Sequence, residues 1–445
     1  MYKKIIICLL INMIFISFFS TCFSTEDLKI NDIVEENQDT NLVQGLDLHS
    51  EGAVLIETNS GKVLYDKNMN KRLYPASITK ILTAILVIEN CDLSEKAIAS
   101  SEAVNSIPSG YTLAGIKAGE AFTVEQLLQV TMLRSANEAA TILAEHVSGS
   151  VEEFANLMNA KAKEIGCLDS HFVNANGMHD ENHYSTAYDM ALIQQYCMKN
   201  EEYRRISSLT SCSLPDTDLY EGEPRNFKNT HAFLIKDDEN YYKYAISGKT
   251  GYTTPAKNCL VTSTDKNGFE LTAVVLCSSG KIDGVSARYY DTMQLINYGY
   301  DNYRLSNFLE KNSAVETIEI ETTEGKKENL KLLLESDIGV ICKKDDSISK
   351  TDGEVKLNDI TLPISKGDIL GTITYKINGN EYISNLVADR SIEKATVAQV
   401  SFITEKSDDS IIIIMLSTLI IIAIAVVIIF IIVIKNEGKI KLNYN

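Results

Sequence analysis

Tyr74-Pro75-Ala76-Ser77-Ile78-Thr79-Lys80 runs into Ile81-Leu82-Thr83-Ala84-Ile85-Leu86-Val87-Ile88-Glu89, and the reading of this stretch decides the rest. From Ser77 to Glu89 the apolar pattern is helical. Ser77 and Lys80 stand three apart at its start, so a hydroxyl and an amine share one face, one turn apart. A helix N-terminus offers free N–H groups and positive potential. That setting favours a neutral amine on Lys80 and negative charge on an attacked carbonyl, and burial would lower the lysine pKa further. Taken alone, the same residues read as a serine N-cap followed by a solvated lysine. The S-x-x-K spacing also begins at Ser263, Ser278, Ser347 and Ser391. Those four lie in turns, a glycine-containing loop, a charged stretch and the connector ahead of the last apolar run. Only Ser77 opens a long apolar helix.

Two further strings follow in order, Ser135-Ala136-Asn137 and Lys249-Thr250-Gly251. The first falls between two helical segments, where a loop can present side chains. Its hydroxyl could relay a proton to a leaving amine, and its amide could orient Lys80 or a substrate; an isolated S-x-N is otherwise a helix cap. The second ends a predicted strand over 244–250. A cation and a hydroxyl there could hold a carboxylate, and Gly251 lets backbone approach closely. A phosphate-loop reading fails, because that motif needs glycine five residues before Gly248 and position 243 is Lys. His179-Asp180-Glu181-Asn182-His183 invites a metal reading, but a zinc-protease helix needs Glu directly after the first His. Asn176-Gly177 before it signals a turn, so a structural loop with local hydrogen bonds is expected. No G-x-S-x-G string occurs, so the common Ser-His-Asp hydrolase elbow is absent.

Outward from these strings, strands are expected over 52–57 and 63–65 about a turn at Asn59-Ser60-Gly61. Residues 92–205 read as mostly helical, strongest over 124–133 and 139–147. A hairpin over 258–263 and 269–277 turns at Asn267-Gly268, and a closing helix covers 288–298. Hairpins at both ends imply one antiparallel sheet assembled from distant segments with a helical block inserted, an α/β (α+β) fold. Near residue 308 the character changes to short alternating strands, and 308–390 reads as a small all-β domain turning at Asn378-Gly379. The catalytic part is set at 48–307.

The ends carry addresses. Residues 1–24 read as a signal peptide, with Lys3 and Lys4 ahead of an apolar stretch and small residues after it. An acidic leader covers 25–47. A connector over 391–410 precedes 411–434, which holds no charge and only Ser417 and Thr418 as polar residues. At about 1.5 Å per residue such a helix crosses a bilayer core of about 30 Å. Lys435, Lys439 and Lys441 follow it, which puts the tail 435–445 in the cytoplasm and the rest outside. The formal net charge of −18 excludes a basic nucleic-acid face. Seven of nine cysteines lie beyond the signal with no C-x-x-C spacing, so neither a zinc site nor a disulfide framework is expected.

Together these residues resemble the low-molecular-mass penicillin-binding proteins of the serine D-alanyl-D-alanine carboxypeptidase group. The resemblance rests on Tyr74 to Lys80, Ser135-Ala136-Asn137-Glu138-Ala139-Ala140, His171-Phe172-Val173-Asn174 running on through Asn176-Gly177-Met178-His179 to His183-Tyr184, and Gly248 to Tyr252. It spans roughly residues 48–400. It implies the penicillin-binding protein/β-lactamase-like fold and removal of the terminal D-Ala from peptidoglycan pentapeptides, with β-lactams as covalent inhibitors and no cofactor or metal. By motif, Ser77 would be the nucleophile and Lys80 its base, with Ser135 and Asn137 completing the proton network. Lys249 and Thr250 would bind the substrate carboxylate beside Gly251, and the N–H groups of Ser77 and Tyr252 would receive the oxyanion. Glu138 stands where the group often has Asp, and Tyr252 where some members have His. A DD-endopeptidase is the nearest rival. A β-lactamase would lack the β domain and the anchor. A non-catalytic β-lactam sensor or wall-binding protein is the alternative from another class, and a sensor would need an output domain beyond the span.

Overall fold

A computed structural model describes residues 45–321, 326–348, 352–377, 380–393 and 400–402. Residues 1–49 form a unit of their own, and its described residues, 45–49, hold neither helix nor strand. The expected signal 1–24, nearly all of the leader, the span 411–434, the tail 435–445 and the Asn378-Gly379 turn lie outside the described residues. No described helix is long and apolar enough to cross a membrane.

The second unit is built on a five-stranded antiparallel sheet of β1 (Gly52–Glu57), β2 (Val63–Lys67), β3 (Ala245–Thr253), β4 (Lys257–Lys266) and β5 (Phe269–Ser278), in spatial order β2-β1-β5-β4-β3. Its two ends of sequence meet in register, Val54 opposite Val274 and Val261 opposite Val274 on the other side. The turns form where the sequence predicts. Glu57 closes the first by accepting from the Ser60 N–H at 2.7 Å and the Asn59 N–H at 3.1 Å. In the second, Asn267 and Gly268 both have positive φ, 58° and 82°, as a two-residue antiparallel hairpin requires.

Besides a short helix over Ser101–Asn105, seven helices among the described residues surround the sheet: α1 (Lys80–Asn90), α2 (Val124–Leu133), α3 (Asn137–Ser148), α4 (Val151–Ile165), α5 (Ala187–Cys197), α6 (Glu201–Ser207) and α7 (Ala287–Asn302). Gly299 of α7 packs against Leu55 and Leu271, while Gln194 of α5 donates to Ser263 Oγ at 3.0 Å. Leu55 pairs with Ala273, and Ser263 pairs with Thr272. Successive strand residues face opposite ways, so α7 and α5 cover opposite faces of the sheet. This explains why β1 does not alternate but reads as an apolar run up to Ile56, for all six of its residues are buried. Helix α1 lies within the helical layer, buried from Lys80 to Val87 on every side. Each large apolar side chain so covered contributes about 1.5–3 kcal/mol relative to exposure.

The helical block is more broken than its composition suggests. Residues 106–120 and 166–186 carry no helix. Pro108 and the positive-φ glycines Gly110, Gly115 and Gly119 interrupt the first, and Gly166 and Gly177 the second. The second is held by side-chain acceptors instead, as where Asn174 Oδ1 takes the Gly177 N–H at 2.7 Å.

Helix α7 passes directly into Tyr303–Leu309, which pairs with Ile338–Lys343. A six-stranded sheet follows, in spatial order Glu354–Leu357, Ile369–Ile377, Asn380–Ala388, Lys327–Leu334, Ala314–Glu321, Val400–Phe402. Pairing of the β region thus starts at Tyr303, ahead of the expected change near 308. The segment 391–410, expected to be a connector only, contributes Val400–Phe402 opposite Ile320–Ile318 and an isolated bridge from Ile392 to Ile364. Ile318, Ile320, Leu330, Leu332 and Leu334 alternate into one small core. Three-residue strands carry too little period to be read from sequence.

Candidate active site

Ser77 does not cap a helix. It lies in a single 3-10 turn, Ala76–Thr79, that delivers the chain into α1 at Lys80. Ala76 before it has φ +50°, a left-handed conformation unusual for a residue with a Cβ. The turn brings Lys80 Nζ to 3.1 Å from Ser77 Oγ. The same Nζ donates to Asn137 Oδ1 at 2.9 Å and to the main-chain oxygen of Asn176. All three partners are neutral oxygens; a neutral amine has two N–H groups for Asn137 and Asn176 and a lone pair for the Ser77 hydroxyl. Lys80 is fully buried, so desolvation holds its pKa well below the ordinary lysine value, the nearby Lys249 cation lowers it further, and Glu138 opposes both. A lysine amine whose surroundings favour the unprotonated form, beside a serine hydroxyl, is the chemical content of this arrangement.

The second string is where the sequence places it, between α2 and α3. Ser135 is strained, with φ +66°. Asn137 opens α3 and is fixed from both ends: its N–H and its Nδ2 both donate to Thr112 O, at 3.0 and 2.9 Å, while its Oδ1 faces Lys80. Glu138 supports the same loop. Its Oε1 accepts from the N–H groups of Ala114, Gly115 and Ile116 at 2.6, 3.0 and 3.4 Å. Burial raises its pKa despite those bonds.

Lys249, Thr250 and Gly251 lie inside β3, an edge strand, which continues through Tyr252 and Thr253 rather than ending at Thr250. A Cβ on Gly251 would stand 2.9 Å from Pro75 O and 3.1 Å from the Ser77 nitrogen, so β3 passes directly against the serine turn. Only glycine permits that approach. Lys249 is buried, and desolvation, followed by the Arg288 guanidinium, depresses its pKa to about 7. Its Nζ donates to Thr250 O at 3.1 Å, and Thr250 Oγ1 lies 2.9 Å from Thr230 Oγ1. The Tyr252 side chain is 60% exposed.

The His179–His183 loop is structural, as expected, but its bonds are not only local. His183 Nδ1 accepts from the Val173 N–H at 3.2 Å, which leaves Nε2 to donate to Thr79 Oγ1 at 2.9 Å. Desolvation lowers its pKa to about 3, so it is neutral. His179 packs edge-on against Tyr74, ring centres 4.6 Å apart. Gly177 is the tightest point, for a Cβ there would fall 2.0 Å from Ala76 O. The loop therefore cradles the serine turn from behind and supplies Asn176 O to Lys80. Sequence reasoning missed the roles of Asn176, Thr112 and Arg288. A main-chain acceptor leaves no mark on residue identity, and Arg288 approaches Lys249 only through the fold.

The model of the D-alanyl-D-alanine carboxypeptidase family, peptidase S11, matches residues 37–280, and that of the penicillin-binding protein 5 C-terminal domain matches residues 303–394. The D-alanyl-D-alanine carboxypeptidase DacF of Bacillus subtilis is 30% identical over 410 residues, 90% of this chain and 96% of that relative. A solved D-alanyl-D-alanine carboxypeptidase of Mycobacterium tuberculosis is 26% identical with a TM-score of 0.53, over 59% of this chain and 94% of that one. A peptidoglycan synthesis regulatory factor (PBP3) of Streptococcus pneumoniae shares the fold, with a TM-score of 0.64 at 24% identity, over 78% of this chain and all of that one.

The buried neutral imidazole of His183 ties stability to pH. Its folded pKa, about 3, lies below the ordinary 6.5, so between these values the unfolded chain binds more protons and stability falls as pH drops from 6.5 towards 3. His231, also buried and lowered to about 3 by desolvation, acts with the same sign. Urea unfolding should show each histidine adding roughly 1.4 kcal/mol per pH unit to the slope in that window. His183→Gln should be less stable at pH 7 and lose one such share. An unchanged slope in that variant would mean that His183 is charged in the folded state.

Proposed function

The chain belongs to the D-alanyl-D-alanine carboxypeptidase family, and from that premise we propose that it removes the terminal D-Ala of peptidoglycan pentapeptides through an acyl-enzyme on Ser77. The observation that carries the reading is the buried Lys80 amine shared between Ser77 Oγ and Asn137 Oδ1. Ser77 Oγ bonds to the carbonyl carbon of the penultimate D-Ala while its proton passes to neutral Lys80 Nζ. The carbonyl oxygen takes up the charge between the N–H groups of Ser77 and Tyr252. Collapse breaks the C–N bond, and the proton reaches the leaving amine by way of Ser135. Water then adds to the ester, gives its proton back along the same path and frees the shortened peptide with Ser77 restored. Asn137, held by Thr112, keeps Lys80 aimed at the serine. A β-lactam offers a cyclic amide to the same serine and remains attached as an ester.

Lys249 and Thr250 are the grip on the substrate's free carboxylate. Lys249 has a second cation, Arg288, as its electrostatic neighbour, and an anion between them relieves that repulsion. We further place the catalytic region outside the cell, tethered by 411–434 in a single pass with residues 435–445 inside. The charge-free run and the lysines behind it support this reading.

Intact mass after penicillin treatment should rise for the wild type and stay unchanged for Ser77→Ala. Lys80→Arg should acylate at least a hundredfold more slowly, since arginine keeps the charge but cannot act as a neutral base. An adduct on Ser77→Ala, or near-normal acylation of Lys80→Arg, would remove those assignments.

A peptide ending in D-Ala-D-Ala should release one D-Ala, and its C-terminal amide should be cleaved poorly. Lys249→Ala should lose most activity on the acid and narrow the gap between the two substrates. Because Lys249 titrates at about 7 in the free site, KM for the acid should rise as pH climbs above 7, where the ammonium is lost. Equal turnover of acid and amide by the wild type would favour an endopeptidase.

Protease added to intact protoplasts should remove the catalytic region. Its protection would reverse the proposed topology.

A further inference from the structure

A second cluster of reactive side chains lies away from the serine. Cys91, Glu95 and His146 bring a thiol, a carboxylate and an imidazole together with their ligand atoms all within 4.8 Å of one another. We propose that these three residues bind one zinc ion, with water in the fourth position, and that the ion fastens together the far ends of the two helices that carry Lys80 and Asn137.

The placement supports a cation. Cys91 is the C-terminal cap of α1, its N–H bonded to Val87 O at 3.0 Å, and His146 lies in the last turn of α3. Helix C-termini carry partial negative charge, so the two helices present that charge at the same point. The ligands are partly aligned already. Glu95 Oε2 lies 3.2 Å from His146 Nε2, while its Oε1 is held by the Asp92 N–H at 2.9 Å. Ligand bonds to zinc of about 2.0–2.3 Å in a tetrahedron put ligand atoms on the order of 3–4 Å apart, so side-chain rotation alone closes the site. The Glu95 and His146 side chains are 49% and 24% exposed, which leaves a path for entry.

The ligand set selects the metal. Thiolate and imidazole are poor ligands for calcium or magnesium and suit zinc. On binding, the Cys91 thiol gives its proton to solvent, sulfur, nitrogen and oxygen each donate an electron pair to the ion, and nothing is oxidised or reduced. Helix α1 has eleven residues, about 16 Å at 1.5 Å each, and Lys80 is its first. The ion therefore stands a full helix length from the serine and acts on stability rather than on chemistry. The usual C-x-x-C signature is missing because the third ligand comes from another helix, 51 residues beyond Glu95.

The test uses the full chain in detergent after treatment with a chelator. Zinc titration should give one ion per chain, and zinc at a hundredfold excess over its Kd should raise Tm by roughly 5–10 °C. Cobalt(II) in place of zinc should give a thiolate-to-metal charge-transfer band. Cys91→Ser should abolish that band while still reacting with penicillin, which shows that it is folded. His146→Gln and Glu95→Gln should each weaken zinc binding at least tenfold. Failure of the wild type to bind stoichiometrically would overturn the proposal, as would a thiolate band that survives in Cys91→Ser. Neither outcome bears on the carboxypeptidase reading, which rests on Ser77 and on product release.

Discussion

The burial of one amine governs the rest of the catalytic region. An ammonium at Lys80 would have to leave water with only neutral oxygens around it, Ser77 Oγ, Asn137 Oδ1 and Asn176 O. Desolvation and then the second cation at Lys249 push its pKa well below the ordinary lysine value against the pull of Glu138, which favours an amine able to accept a proton. Its hydrogen-bond partners come from three places in the chain: the turn before α1, the start of α3 and the loop after α4. The fold brings these together around a side chain that on the surface would be an ordinary solvated cation.

Bringing them together requires backbone contacts that most residues would block. Gly177 and Gly251 each face the serine turn with no room for a Cβ. Ala76 and Ser135 take left-handed conformations that cost about 1–3 kcal/mol each and persist only where their surroundings over-determine them. The supports are visible. Neutral His183 holds Thr79, Glu138 gathers three N–H groups of the loop whose Thr112 O fixes Asn137, and Thr83 Oγ1 donates to Ala175 O at 2.6 Å. These bonds hold the serine and lysine at reacting distance before any substrate arrives, which is where preorganised catalysis gains its advantage.

Much of this was legible in local pattern. The hairpins at Asn59-Ser60-Gly61 and Asn267-Gly268, the strands β1, β4 and β5, the helices α1 to α3 and α7, and the later alternating strands all follow from period and turn residues. The misreadings have physical causes too. Residues 106–120 and 166–186 are polar and helix-compatible in part, yet glycines and tertiary bonds hold them open. The strand Val400–Phe402 reads from sequence as connector because three residues show no period. The Lys249-Thr250-Gly251 string reads from sequence as a strand end, since nothing local says that pairing with β4 carries on to Thr253 opposite Lys257.

The sequence by itself determined which side chains could do chemistry. Ser77 with Lys80 at one-turn spacing, Ser135 with Asn137, and Lys249 with Thr250 are statements about residue type and local spacing, and local forces suffice to read them. Only the tertiary structure decided which of those groups are charged and what they face. Whether Lys80 is an amine or an ammonium depends on burial, and whether Lys249 sits near pH 7 depends on burial and then on Arg288, 39 residues later in sequence and near it only in the fold. Protonation is set by solvent exclusion and long-range contact, and neither is a property of a short stretch of chain.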